Sequence, residues 1–305
     1  MANSKINLKQ LEALKWVVDL GSFRKAAKHL NTTQPNISTR IAALETAIGS
    51  QIMLRNSGTI VLSPKGELIL EQARKVLREV EQLAVIADRP ELIEDRLRLG
   101  VTELVASTWL RTLLRQIKEA YPNLSIELTV DLSLSLDKEL SSNALDLTIQ
   151  NAPFSSKASG VEDLGVYEFI WIASKKVAKE LGKQPTREKL LEQTILTHAR
   201  HTQTYTDLTH YFGTKQTGKA KGAMFVPSSS LSSTILMAQD DMGIAAAPKA
   251  MVEEHLKKGS LVEVDFDWTP SPLRFAARYQ LEKSSGYIAH IAKIAAKISS
   301  DFQAR

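Results

Sequence analysis

Gln34, Asn36, Ser38, Thr39 and Arg40 are residues whose types and spacing suit them to read a base sequence. Gln and Asn can pair bidentately with adenine and Arg with guanine, while Ser and Thr can bond bases or phosphates. They alternate with Ile37, Ile41, Leu44 and Ile48, whose spacings of four, three and four residues make one apolar helical stripe. The polar set therefore occupies the face away from the stripe. A merely solvated helix face would look the same, so the decision rests on what surrounds it.

The flanking elements position this face. Thr33 can cap the helix, Pro35 is tolerated in its first turn, where no N–H is needed, and Gly49 ends it. Upstream, Ser22 caps a short helix over residues 23–30. Its Ala26 and Ala27 let a neighbour approach closely, and Asn31 suits the left-handed turn that closes it. Two short helices joined this way form a helix-turn-helix, whose second helix enters the DNA major groove. Residues 7–20 predict a preceding helix with Leu11, Leu14, Val17 and Val18 to pack beneath it. The apolar runs 51–55 and 59–62 around Asn56, Ser57 and Gly58 predict a β-hairpin, hence a wing. Ser22, Arg24, Arg55 and Lys65 stand at helix ends and on the wing, where they can hold phosphates. Residues 1–65 carry nine Lys or Arg against three Asp or Glu, although the whole chain is only +5. Positive charge is thus concentrated on the segment proposed to meet phosphates.

Leu8, Leu11, Gly21, Ser22, Phe23, Ala26, Ala27, Leu30, Thr33, Gln34, Pro35, Ser38, Ile41, Leu44, Glu45, Gly49, Arg55, Leu62, Ser63, Pro64 and Gly66 follow a familiar order and spacing. Over these roughly 60 residues the chain resembles the LysR-type transcriptional regulators. Leu54 stands where that family commonly has Phe, and Ser63 where it has Thr. Both keep the physics, an apolar wing anchor and a hydroxyl cap. The resemblance implies double-stranded DNA as partner, a small-molecule effector, and homo-oligomers that are typically dimers of dimers. RNA polymerase is a further partner to expect of a transcriptional regulator.

The fold expected is an N-terminal, all-α winged helix-turn-helix with a long linker helix, followed by a C-terminal α/β two-lobed effector domain similar to periplasmic binding proteins. The expected bounds are 1–63 for the DNA-binding domain, 64–90 for the linker and dimerisation helix, and 94–305 for the effector domain. Lobe I takes about 94–165 and 268–305, and lobe II about 166–267. In the linker, Ile69, Ala73, Val76, Val80, Leu83 and Ala87 recur at alternating spacings of four and three residues, the heptad pattern of a helix that pairs with its own copy. Beyond residue 95, strands alternate with helices, and βαβ units predict a parallel sheet. Residues 103–120 read as one helix and 166–173 as one strand. The landmarks Leu97, Leu99, Gly100, then Leu145, Asp146, Leu147, then Met242, Gly243, Ile244 and Pro248 are similar to the LysR-type effector domain. Asp241 replaces the usual small residue, so the turn there is expected to be built differently.

Ligands in such folds sit beyond the carboxyl ends of strands, where helix N-termini expose N–H donors. Thr102, Ser133 and Gln150 follow strands of the first lobe. Thr197, His198 and Thr202 follow a strand of the second, and Ser228, Ser229 and Ser230 lead into a helix. This donor-rich set predicts an anionic ligand such as an organic carboxylate, with His198, Arg200 or His201 supplying positive charge. Any one Ser or Thr here is equally an ordinary helix cap.

Composition narrows the alternatives. There is no cysteine, so disulfides, thiolate metal sites and thiol switching are excluded, including the branch of the resembled family that senses peroxide through cysteines. His198 and His201 lack a third nearby ligand, so no metal is expected. No phosphate-binding glycine loop or nucleophile elbow is present, so no enzyme activity and no cofactor are expected. The start of the chain lacks a secretory apolar segment and no long apolar run spans a membrane, which predicts a cytoplasmic protein. A cytoplasmic small-molecule-binding protein leaves the basic module unexplained, and a constitutive architectural DNA-binding protein leaves the α/β lobes unexplained.

Overall fold

The computed structural model describes residues 6–56, 59–86, 93–213, 223–280 and 286–304. These fall into two compact units, one holding residues 1–93 and 280–289, the other 94–279 and 290–305.

The first unit opens with α1 (Leu8–Asp19), where Asn7 and Gln10 form a reciprocal capping box. α2 (Phe23–His29) and α3 (Gln34–Ile48) follow, capped by Ser22 and Thr33. Gly49 closes α3 at φ 69°, a left-handed conformation that glycine adopts without a Cβ penalty. β1 (Met53–Asn56) and β2 (Thr59–Leu62) pair antiparallel, with Met53 opposite Leu62 and Asn56 opposite Thr59. α4 (Pro64–Ile86) follows. Leu14, Val17, Ala26, Ile37 and Leu44 are fully buried in one core, and truncating Leu14, Ile37 or Leu44 to Ala would cost roughly 2–5 kcal/mol each. Gly66 is required in the first turn of α4, because a Cβ there would lie 2.3 Å from the carbonyl oxygen of Ile52.

The expected pairing seam on α4 divides between two faces. Ala73 is buried with Leu70 and Leu77 in the unit's own core, and Ile69 packs against it. Val76, Val80 and Leu83 point outward with 45%, 38% and 64% of their surface exposed, accompanied by Leu68. One helix thus serves two apolar partners: its N-terminal seam positions go to the core and the later ones are left uncovered. Ala87 lies outside the described residues.

The second unit contains two five-stranded mixed sheets. β3 (Arg96–Val101) leads into α5 (Glu103–Ser107) and α6 (Leu110–Ala120). Then come β4 (Ser125–Val130), α7 (Ser133–Ser141), β5 (Leu147–Asn151) and β6 (Gly160–Tyr167). The second lobe runs through β7 (Phe169–Ala173), α8 (Lys175–Leu181), α9 (Arg187–Leu191), β8 (Thr194–His198), α10 (Gln203–Phe212) and β9 (Met224–Ser228). It continues with α11 (Leu231–Gln239), β10 (Ile244–Pro248), α12 (Lys249–Lys258) and β11 (Val262–Val264). β12 (Leu273–Tyr279) and α13 (Gly286–Gln303) end the chain. The sheet orders are β4-β3-β5-β12-β6 and β11-β7-β10-β8-β9.

Three readings change. The sheets are not wholly parallel: β12 runs antiparallel to β5 and β6, and β7 to β10 and β11. The expected helix over 103–120 breaks after Ser107. Thr108 donates its hydroxyl back to the Leu104 carbonyl at 2.7 Å, and Trp109 turns inward to donate from Nε1 to the Tyr167 hydroxyl at 2.8 Å. The expected strand over 166–173 is two strands of different sheets, with Tyr167 ending one and Phe169 starting the next. Asp241 sits in a tight left-handed turn before Met242. Its φ is 60° and its carboxylate accepts from the Ser174 hydroxyl at 2.5 Å.

Candidate nucleic-acid interface and interlobe junction

On α3, Gln34, Asn36, Ser38 and Thr39 are exposed, Arg40 is half-buried and Ile37 and Ile41 are buried beneath them. A surface groove of about 590 Å³ is lined by Ser22, Arg24, Gln34 and Ser38 together with Gln51 and Met53 at the start of the wing. The candidates separate by what their side chains already do. Ser22 and Thr33 cap α2 and α3 by accepting from Lys25 N and Asn36 N. Thr39 donates to the Pro35 carbonyl at 2.9 Å, and Asn36 to the Thr32 hydroxyl at 3.1 Å. Arg40 lies near enough to Glu12 to oppose the burial that raises that carboxyl. Arg24, Pro35 and Lys65 are exposed. Arg55 sits on β1, and its side chain lies outside the described residues.

The wing is tied to α3 by a residue not singled out as functional. Glu45 Oε1 accepts from Ile52 N at 2.8 Å and Met53 N at 3.1 Å. The helix carrying the polar face and the strand carrying Arg55 are thereby held by one carboxylate. The loop donors left over after the tight Gly49 turn were the available signal for it.

In the second unit the effector candidates occupy strand ends of both lobes, and they too divide. Ser133 donates to Asn151 Oδ1 at 2.8 Å and accepts from Asn151 N. Thr202 caps α10 and donates to the Ala199 carbonyl. Ser228 and Ser230 bond each other and the first turn of α11, and Ser229 is exposed. By contrast, Thr102 Oγ1, Gln150 Oε1 and Thr197 Oγ1 are buried with no hydrogen-bond partner among the described residues. Unpaired buried polar atoms are costly and call for an explanation. Thr102 N donates to the Ile149 carbonyl, which brings Thr102 beside Gln150.

Glu103 joins the lobes. Its carboxylate accepts from Leu231 N at 2.5 Å, from Ser232 N at 3.0 Å and from the Ser230 hydroxyl at 3.0 Å. Burial raises this carboxyl, but the hydrogen bonds from Ser232, Leu231 and Ser230 outweigh it and hold it below the usual carboxylate range. The donors behind the expectation of an anionic ligand at residues 228–230 are therefore largely engaged within the chain. Nor do the surroundings of His198 favour its charged form. Burial pushes its imidazole below the ordinary 6.5, against the pull of Glu103. Among the described residues, no cluster of at least three His, Cys, Asp or Glu could hold a metal ion.

Behind Gln150 lies a buried ionic network that sequence reasoning did not single out. Asp137 is 1% exposed, and it accepts from Gln150 Nε2, from the backbone N and hydroxyl of both Ser155 and Ser156, and from Arg278, itself 2% exposed. Arg278 also donates to the Ser156 carbonyl at 2.6 Å and lies over the Phe154 ring. Burial would raise the Asp137 carboxyl, yet the serine hydrogen bonds and Arg278 hold it well below its ordinary value. The available signals were an Asp inside the Leu136–Leu140 apolar stripe and an Arg inside the otherwise buried run of β12.

A winged helix-turn-helix in one unit and a two-lobed α/β sensor-like unit in the other define a DNA-binding regulator with a ligand-binding domain. Residues 8–67 match the bacterial regulatory helix-turn-helix protein, lysR family, and residues 90–288 the LysR substrate binding domain. The chain belongs to the LysR-type transcriptional regulators. It is 28% identical over 276 residues to a "Probable hydrogen peroxide-inducible genes activator" of Streptomyces viridosporus, covering 88% of this chain and 86% of that protein. It is 30% identical to the HTH-type transcriptional regulator CzcR of Bacillus subtilis, over 53% of this chain and 55% of CzcR. Among solved structures, a full-length OxyR variant from Pseudomonas aeruginosa shares the fold at TM-score 0.63 and 19% identity, over 96% of this chain and 94% of that one. ArgP from Mycobacterium tuberculosis does so at TM-score 0.61 and 21% identity, over 95% and 96%. The absence of cysteine separates this chain from any regulator that switches by thiol oxidation. No helix among the described residues is long and apolar enough to cross a membrane.

Proposed function

We propose that this LysR-type regulator grips double-stranded DNA through the outer face of α3, with Gln34, Ser38 and Arg40 at base edges. Ser22, Arg24, Arg55 and Lys65 meet phosphates, and Thr33, Pro35, Asn36 and Thr39 shape the helix start. The proposed division is 1–63 for DNA binding, 64–90 for pairing and 94–305 for effector binding. The exposed Val76, Val80 and Leu83 support pairing of two chains through α4, and a dimer of dimers is the assembly proposed. The protein acts in the cytoplasm, has no catalytic activity of its own and works on transcription through RNA polymerase.

The effector binds between the lobes, near Thr102, Ser133 and Gln150 on one side and Thr197, His198, Thr202 and Ser228 to Ser230 on the other. The observation that carries this reading is the set of unpaired buried atoms on Thr102, Gln150 and Thr197, all at carboxyl ends of parallel strands. A ligand preferring one lobe arrangement shifts the regulator's population by its differential affinity. Thermal-shift screening of metabolites tests it. A ligand at 100 times its Kd stabilises by about 2.7 kcal/mol, and Thr102→Ala should abolish that shift. An undiminished shift in the variant would place the site elsewhere.

A further inference from the structure

We infer that Glu103 is the effector cleft's own anion: it latches lobe I to the N-terminus of α11 in lobe II and sets which ligands the cleft admits. The inference rests on the proposed interlobe site, but its test needs neither effector nor operator. Glu103 stands just past the carboxyl end of β3, in the first turn of α5, while its carboxylate is spent 128 residues away on Leu231 N. The first N–H groups of a helix have no intrahelical partner, and the helix dipole favours negative charge there. In α11 two of those groups, Leu231 N and Ser232 N, are given to Glu103, and the Ser230 hydroxyl, which caps Ser233 N, adds a third bond to it. These three bonds come from neutral donors, so no cation among them compensates a second anion.

Two consequences follow. A free carboxylate cannot take the α11 site without expelling Glu103 and accepting its repulsion. Among the groups on the Glu103 side of the cleft, the Thr102 hydroxyl and the amide oxygen of Gln150 are buried and left unpaired for an effector. Glu103 and Gln150 Oε1 only accept, so the part of an effector that enters here is one that donates hydrogen bonds or carries positive charge. This assigns Glu103 a specificity-determining role that no residue motif announced.

Acetate is the probe, and amide hydrogen exchange at residues 231–233 in the full-length protein is the readout. In Glu103→Ala, exchange of Leu231 and Ser232 should accelerate about tenfold or more, as expected when a charge-assisted bond is lost. Acetate should restore protection in the variant and leave the wild type unchanged. Glu103→Gln keeps the shape and removes the charge; it should show an intermediate acceleration and no acetate rescue. Should Glu103→Ala fail to fold, the same readout on Glu103→Gln decides. Unchanged exchange in the variants would overturn the latch. Acetate protection of residues 231–233 in the wild type would overturn the exclusion of free carboxylates.

Discussion

Asp137 and Arg278 lie 141 residues apart and form an ion pair with side chains 2% and 3% exposed. The pair joins α7 to β12, and through Gln150 it reaches β5, whose end carries one of the unpaired atoms of the proposed effector site. Removing one partner of a buried pair strands the other charge, typically at 3–5 kcal/mol. Asp137→Asn should therefore destabilise the effector unit by about that amount in urea unfolding, because Asn leaves Arg278 uncompensated. It should also weaken effector binding, since the amide nitrogen that replaces one carboxylate oxygen faces donors and disturbs the network that orients Gln150. Stability within about 1 kcal/mol of wild type, on the order of ordinary surface substitutions, would show that the network is dispensable.

The half-buried His198 makes lobe stability depend on pH. Its folded pKa is lowered from 6.5 by burial, so the unfolded chain takes up the proton first. Stability from this group is full above 6.5 and is lost as pH falls through and below it towards the folded value. His198→Gln should flatten the stability profile of the effector unit on the acid side of 6.5 without changing it at pH 8. Glu103 works in the same direction at lower pH. Its contribution is present above the ordinary 4.5 and disappears as pH falls through its lowered folded value. A wild-type profile that is flat between pH 6.5 and the onset of carboxylate titration would contradict the His198 assignment.

Base reading and phosphate holding separate by their salt dependence. Gln34→Ala should cost about 1–3 kcal/mol on the operator and little on random DNA, if Gln34 pairs with a base edge. Arg24→Ala combined with Arg55→Ala should weaken binding on every sequence. The slope of log K against log salt should fall by about 0.9 for each phosphate that the variant no longer neutralises. Arg40→Ala should fall between these two, because the guanidinium also acts on Glu12. Competition binding at several salt concentrations checks all three. An unchanged operator affinity for Gln34→Ala would move the reading face.

The helix-turn-helix was legible because its signals are local: caps at Ser22 and Thr33, the stripe from Ile37 to Ile48, and the left-handed Gly49 all act within a few residues. The lobes were legible as alternating strands and helices for the same reason. What sequence reasoning missed depends on partners far along the chain. β6 does not alternate, because Asp163 and Gly165 sit on an edge strand bulged against β12, so nothing local separates it from β7. The break after Ser107 exists because Trp109 finds Tyr167, 58 residues away. Glu103 and Asp137 each looked like ordinary helix carboxylates, since their meaning lies in Leu231 and Arg278. The linker repeat looks like one seam in the sequence because a heptad count cannot tell a core face from an assembly face when Leu70 and Leu77 interleave with it.

The two faces of α4 separate folding from assembly. Val76 and Leu83 are 45% and 64% exposed and lie outside the unit's own core, whereas Leu70 and Leu77 are inside it. Val76→Glu with Leu83→Glu should therefore leave the fold intact, with unfolding free energy changed by less than about 1 kcal/mol, as is usual for exposed sites. The same double variant buries two charges against an apolar partner on pairing, which is strongly unfavourable without compensation. Sedimentation should show a smaller assembly than the wild type, because the pairing through α4 is lost while any second interface of a dimer of dimers remains. Leu77→Glu, by contrast, should unfold the winged unit itself, since its side chain is buried in the same core as Ile37 and Leu44. A folded, unchanged oligomer in the Val76/Leu83 variant would remove the outer face of α4 from the assembly and leave another surface to hold the chains together.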